Sequence, residues 1–348
     1  MKAKTKTIIN IRIIVVIFVV MLFYMIAVDG IYNMINVLKS VNYLWVFAGI
    51  VCMIIYWGLE ALCLYLITKK VYKRQRFRDS LRVSMIGQLF NCLTPFSSGG
   101  QPMQAYAMTQ EGKSVSNSAT ILLIKFIVYQ LALVIYTLVV IIFQFSYFKN
   151  LVSNFINLAL IGFLINFVVI VFLILIGINK KVVINILKPI YKFLGKIKVF
   201  KNIDEKLEEL IKSIDNFHNN FKIIKKERKM ILITFFITII QLTVYFLVTF
   251  MVYKAFGQDG VSIIKIISAQ AFLMMIMAFV PIPGAGIAAE GGFLIIFNTF
   301  FTKNTINMAI LFWRMYTFYL PIIVGAFFMI IKPRKYAKIK MEDKKLNE

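Results

Sequence analysis

Four charged residues stand inside apolar stretches long enough to cross a membrane: Glu60, Lys125, Glu290 and Arg314. A charge at the centre of a bilayer costs about 2.5–3.5 kcal/mol on insertion scales, so each needs a partner or a task. Arg314 sits in LFWRMYTFYLP, in the last apolar run. It is about eight residues in, or roughly 12 Å deep at about 1.5 Å per residue, a long reach for snorkelling. Trp313, Tyr316 and Tyr319 are neighbours able to supply cation–π or hydroxyl contacts. Glu290 closes PIPGAGIAAE. Pairing with Arg314 is the simplest way to meet both burial costs. Backbone N–H groups, a substrate amine or a proton are the alternatives. Lys125 lies near the start of its run and either snorkels to the nearby interface or pairs with Glu60. Glu60 could also relay protons.

Two Gly- and Pro-rich stretches interrupt the apolar pattern, one in each half: LTPFSSGGQP (Leu93–Pro102) and PIPGAGIAAEGG (Pro281–Gly292). A break at membrane depth frees N–H and C=O groups that lipid cannot satisfy, so it survives only against protein or a water-filled cavity. Paired breaks in corresponding halves point to a transporter's binding site. Helix ends beside such breaks offer unpaired N–H groups and a partial positive charge, which suits a phosphate or carboxylate. The candidate substrate-binding residues are therefore Asn91, Pro95, Gly99, Gly100, Gln101 and Gln104 at the first break. At the second they are Pro281, Pro283, Gly284, Gly286 and Glu290, joined by the buried cations Lys125 and Arg314.

The segments that carry these residues belong to an all-α polytopic membrane protein. Of 348 residues, 60% are hydrophobic and 16% charged, against about 45–50% and about 25% in soluble domains. Mean hydropathy is +0.82. The runs fit helices crossing a core of about 30 Å, and the short alternating segments of a barrel are absent. The net charge of +25 is gathered in blocks between apolar runs. It therefore points to anionic lipid and not to nucleic acid. Cys52, Cys63 and Cys92 have no CxxC spacing and His218 is the only histidine, so no metal, cofactor or catalytic triad is expected. No Walker A, GxGxxG, HExxH or GxSxG motif occurs, and no catalytic residue is assigned.

Six full crossings are expected: Ile8–Val28, Leu44–Ile67, Ala119–Phe143, Leu158–Ile178, Met230–Phe256 and Ile306–Ile331. Residues 1–12, 68–82, 179–229 and 332–348 hold 32 of the 40 Lys and Arg, whereas 29–43, 144–157, 257–261 and 302–305 hold only Lys39, Lys149 and Lys303. The positive-inside rule then places both termini in the cytoplasm. The same parity makes Ser80–Met108 leave and return on the cytoplasmic side, and Ser262–Phe301 on the outer side. Each is a re-entrant hairpin or a pair of spans, the hairpin being favoured because the flanking runs are short. Together they resemble an inverted repeat. The chain reads as one membrane domain. It comprises a first half 1–178, a linker 179–229, a second half 230–331 and a basic tail 332–348. In the linker Ile203, Leu207, Leu210, Ile211, Ile214, Phe217 and Phe221 recur at helical spacing. They predict an amphipathic helix lying on the membrane or the bundle, with His218 at its surface.

At the two breaks the sequence resembles the lysylphosphatidylglycerol synthase transmembrane-region family of flippase-like proteins. The family pattern N-x-L-x-P-x-x-x-G-G is read here from Asn91 through Pro95 to Gly99 and Gly100. The pattern P-x-P-G-x-x-G-x-x-E is read from Pro281, Pro283 and Gly284 to Glu290, its later glycine one residue early at Gly286. Where the family commonly continues the first motif with an acidic residue and an arginine, this chain has Gln101 and Gln104. The likeness covers nearly the whole chain. It implies translocation or handling of a lipid-linked substrate in a bacterial cytoplasmic membrane. In the multiple peptide resistance factors the same module precedes a cytoplasmic domain that transfers lysine from lysyl-tRNA to phosphatidylglycerol. Here 17 residues follow the last run, so that domain is expected to be absent.

Three functions remain open on these residues. The first is a flippase-like translocator of a lipid or lipid-linked anionic substrate. The second is a lipid-modification protein of the phosphatidylglycerol lysyltransferase type, with a separate partner supplying catalysis. The third is a secondary transporter of a small solute. A lipid route needs a cavity open to the bilayer, and a solute route a compact polar site at the midplane.

Overall fold

The computed structural model describes residues 31–151, 155–185, 189, 203–277 and 286–334. Within them the chain is helical, with no strand. A short helix α1 (Ile31–Ser40) leads into α2 (Tyr43–Val71), which starts where the Asn42 side chain accepts the Leu44 N–H at 3.0 Å. The further long helices are α5 (Val115–Leu151), α6 (Phe155–Ile178), α7 (Ile203–Lys225) and α8 (Arg228–Ala255). The last crossing is α11 (Ile306–Arg314), a π turn (Met315–Tyr319) and α12 (Leu320–Ile330). Among the described residues five segments are long and apolar enough to span: Tyr43–Val71, Val115–Gln144, Ile161–Ile178, Arg228–Ala255 and Ile306–Ile330. They coincide with five of the six expected crossings; Ile8–Val28 lies outside the described residues. Helix α5 runs further than its hydropathy predicts, as far as Leu151 inside the expected outer segment 144–157. Phe143, Leu164, Phe236 and Phe327 project outward and exposed, as a lipid-facing belt does.

The most extensively packed pair, α2 and α8, is antiparallel. Asn42 N–H donates to the Ala255 carbonyl at 2.8 Å at one end, and Lys70 pairs with Glu227 at 2.7 Å at the other. The two interrupted regions form helical hairpins entering from opposite ends of this pair. The first is α3 (Phe77–Leu93) and α4 (Gly100–Gln110), joined by a tight turn at Pro95–Ser97. It leaves from the Val71 end and returns there: the Tyr72 hydroxyl accepts from Ser114 N and from Asn117 Nδ2. The second is α9 (Ile263–Met277) and α10 (Gly286–Phe297). It returns beside Tyr253, whose ring meets Phe301 at 5.5 Å near the end of α8. None of these four helices exceeds 17 residues, and about 20 are needed to span. The tip of the first hairpin, Leu93, packs on Phe318 and Tyr319, halfway along the last crossing. In the second, Phe293 packs on Trp313 at 5.0 Å.

Glycine sets the closeness of the first hairpin. A Cβ on Gly100 would collide with the Asn91 side chain and the Gly87 carbonyl, and one on Gly325 with the Met85 carbonyl and Leu89. Helix α3 is thus gripped between α4 and α12. At the hairpin's base Glu111 is fully buried between Lys113, with which it pairs, and Arg82, whose Nη1 is 3.6 Å away. Arg82 Nε also donates to the Ile331 carbonyl at 2.9 Å. Burial pushes the Glu111 carboxyl above its usual range, with Lys113 opposing. Sequence reading passes over this cluster, because it lies at the edges of loops.

The predicted amphipathic helix is α7, and it lies on the bundle. Asn220 Nδ2 donates to Asn117 Oδ1 at 2.5 Å, Thr120 Oγ1 donates to the Phe217 carbonyl at 3.3 Å, and Phe221 fills the space left by Gly177. His218 is buried and not at the surface as expected, with Nδ1 2.9 Å from the Ile214 carbonyl. Helical spacing had placed it one step from the apolar stripe, and the close fit of α7 on α5 covers that step as well.

Candidate functional site

Both halves of the chain wall a cavity of about 550 Å³. Helix α2 presents Met53, Tyr56 and Glu60 at i, i+3 and i+7, one face of a helix. The first hairpin presents Gln88 and Asn91 from α3, and Gln101 and Gln104 from α4. Helix α5 gives Lys125, Tyr129 and Gln130, α6 gives Asn166, α8 gives Tyr245 and α9 gives Gln270. Arg314 and Thr317 complete the wall from the last crossing.

Two buried acid–base pairs organise it. Lys125 Nζ is 2.6 Å from Glu60 Oε1, while Glu60 Oε2 accepts from Gln241 Nε2 at 2.9 Å. The carboxylate is therefore held from both halves. Arg314 Nε is 3.3 Å from Glu290 Oε1, and its guanidinium lies over the rings of Trp313 (5.1 Å) and Phe318 (5.4 Å). Arg314 is the last residue before the π turn. Such turns are frequent at functional sites. Next to it Tyr316 donates to the Val46 carbonyl at 2.8 Å.

The hairpin tip stores strain where it meets the cavity. Phe96 and Ser97 take φ of +54° and +52°, a left-handed conformation costing about 1–2 kcal/mol per non-glycine residue. Thr94 braces the turn, donating from Oγ1 to the Phe90 carbonyl at 2.6 Å and accepting from Gly99 N–H at 2.7 Å. Phe96, Ser97 and Ser98 are exposed and form part of the wall.

Of the expected site residues, Asn91, Gln101, Gln104, Lys125 and Arg314 line the cavity. Glu290 reaches it through Arg314. Gly99 and Gly100 lie inside the hairpin's own packing, behind the wall, and Pro95 opens its exposed turn. Gly286 is the first residue of α10. Pro281, Pro283 and Gly284 lie outside the described residues. Sequence reading missed Tyr56, Gln88, Tyr129, Gln130, Asn166 and Gln270. A signal existed for three of them. Tyr56 is four residues before Glu60, Tyr129 four after Lys125, and Gln88 three before Asn91, each on the same helix face as a residue already singled out.

A helical bundle with two opposed half-length hairpins around a polar, ion-paired cavity defines a multi-pass membrane protein with an internal polar cavity. Residues 9–325 match the pattern of the lysylphosphatidylglycerol synthase TM region, and the chain belongs to that family. A UPF0104 membrane protein of Archaeoglobus fulgidus is 24% identical to it over 297 residues, covering 84% of this chain and 87% of that protein.

Proposed function

We propose that the chain translocates a lipid, or a lipid-linked anionic substrate, between membrane leaflets, its headgroup passing through the cavity. The observation that carries this reading is the pair of half-length hairpins entering from opposite ends, with Leu93 of the first packed on Phe318 and Phe293 of the second packed on Trp313 of the last crossing. Half-depth elements from each side, around one chamber, are the parts an alternating route needs. The strained, exposed tip at Phe96–Ser98 gives the chamber an open flank, and the family supports a lipid-related role. A fluorescent phosphatidylglycerol in reconstituted vesicles tests it. Chemical quenching should reach beyond the outer leaflet when the protein is present, and filling the chamber with Gln101→Trp should slow this by about tenfold, or roughly 1.4 kcal/mol of barrier. Quenching equal to that of protein-free vesicles would sink the proposal.

In this reading the protein sits in a bacterial cytoplasmic membrane. The basic end of the bundle, from Lys69 to Arg82, faces the cytoplasm with both termini, and the first hairpin enters from there. Anionic lipids cover that face, and any catalysis belongs to a separate partner. The native cysteines are buried, so added ones report cleanly. Asn150→Cys and Lys303→Cys should react with an impermeant thiol reagent in intact cells, and Glu205→Cys should not. Labelling at position 205 would reverse the map.

A further inference from the structure

Resting on the reading of the cavity as a headgroup chamber, the wall also limits what kind of headgroup it can hold. Among the described residues every charge in or beside the wall has an opposite charge against it: Lys125 with Glu60, Arg314 with Glu290. No carboxylate is left over for a cationic headgroup, and both cations already face acids. What remains is neutral: carboxamides, together with the hydroxyls of Tyr56, Tyr129, Tyr245, Thr317, Ser97 and Ser98. The hairpin supplies Gln88, Asn91, Gln101 and Gln104, and Gln130, Asn166 and Gln270 face them from three other helices. Gln270 is fully buried; its Oε1 accepts from Thr249 at 2.8 Å, yet its Nε2 has no hydrogen-bond partner among the described residues. The buried Oε1 of Gln130 is likewise unpartnered among them. A carboxamide offers an acceptor beside two donors. A hydroxyl both donates and accepts, so neighbouring hydroxyls on a sugar or polyol match it group for group. Leaving such buried groups unpaired is costly, which is how a site of this kind rejects a ligand lacking the hydroxyls. We infer that the chamber selects a hydroxyl-rich headgroup, a sugar or polyol, through neutral hydrogen bonds from this carboxamide lining.

The test uses the full chain in phosphatidylcholine nanodiscs, with binding read by native mass spectrometry and by the shift in Tm. The probes are glucosyl diacylglycerol, phosphatidylglycerol, phosphatidic acid, a cationic trimethylammonium lipid, and methyl glucoside as a free sugar. The two hydroxyl-rich lipids should bind about tenfold tighter than phosphatidic acid or the cationic lipid, the scale of one buried hydrogen bond left unmade. Gln101→Met, at a partly open position that tolerates the change, should erase that preference and leave phosphatidic acid binding unaltered. Gln101→Glu should shift preference toward the cationic lipid. Phosphatidic acid or the cationic lipid binding as well as the glucosyl lipid would overturn the inference while leaving the lipid reading intact. Methyl glucoside binding as tightly as the glucosyl lipid would uphold the hydroxyl chemistry and overturn the lipid reading. Binding of none of the probes would overturn the inference, and lipid translocation would then be judged by the vesicle assay alone.

Discussion

Gly100→Ala will unseat the first hairpin. The added methyl has nowhere to go: the Asn91 side chain occupies one side of the position and the Gly87 carbonyl, fixed in α3, the other. A flexible neighbour could swing aside, but a helix carbonyl cannot, so α3 and α4 must separate. Overpacking of this kind costs about 1–3 kcal/mol. The larger effect is on activity, because Gln101 and Gln104 on α4 and Asn91 on α3 move with the helices that carry them. Translocation should fall at least tenfold while the protein still inserts and purifies as a monodisperse species. Gly58, in α2, is the control: nothing lies within reach of a Cβ there, and Gly58→Ala should be neutral. If Gly100→Ala matches Gly58→Ala in both Tm and translocation, the tight hairpin is not what shapes the chamber.

The second large effect is at Arg314 and Glu290. Breaking a fully buried ion pair costs roughly 3–5 kcal/mol because a lone charge stays behind. The two single changes should not be equal. Glu290→Gln leaves a guanidinium that cannot discharge, in a site where Arg314 is 3% exposed. Arg314→Gln leaves a carboxyl whose side chain is 18% exposed and which can take up a proton. Arg314→Gln also loses the stacking on Trp313 and Phe318, but such contacts are worth about 0.5–2 kcal/mol. The charge term is larger, so Glu290→Gln should lower Tm more. The double variant should recover stability over either single change and remain inactive in translocation. Losses that simply add would show that the pair does not couple in the membrane. A double variant that also recovers translocation would reduce the pair to a clamp.

The ion pairs could be read from the sequence because burial makes charge expensive. Glu60, Lys125, Glu290 and Arg314 were conspicuous for that reason, and the structure pairs them as the cost argument requires. The hairpins were legible for a related reason: Gly and Pro between short runs, with basic blocks fixing which end each run returns to. The carboxamides were not. Gln and Asn interrupt hydropathy far less than Lys or Glu, and Gln130, Asn166 and Gln270 come from segments that meet only in the folded bundle. The same limit hid the bond from Gln241 to Glu60, which joins residues 181 apart. Hydropathy also could not show that Gly99 and Gly100 serve helix contact behind the wall, since a glycine that admits a ligand and one that admits a neighbouring helix look alike in sequence.

The π turn at Met315–Tyr319 also bears on how this helix can change length. A π turn holds one residue more than an α turn, which rotates everything after it back by about 100°. Arg314 before the turn faces the chamber, and Gly325 after it faces Met85 and Leu89 on α3. Those two faces are phased independently by the extra residue between them. A chain lacking one residue within 315–319 would close the turn into regular α-helix and still present both faces as they stand. A one-residue gap at this point in a related sequence is therefore a silent one, whereas the same gap on either side would turn the arginine from the chamber or the glycine from α3.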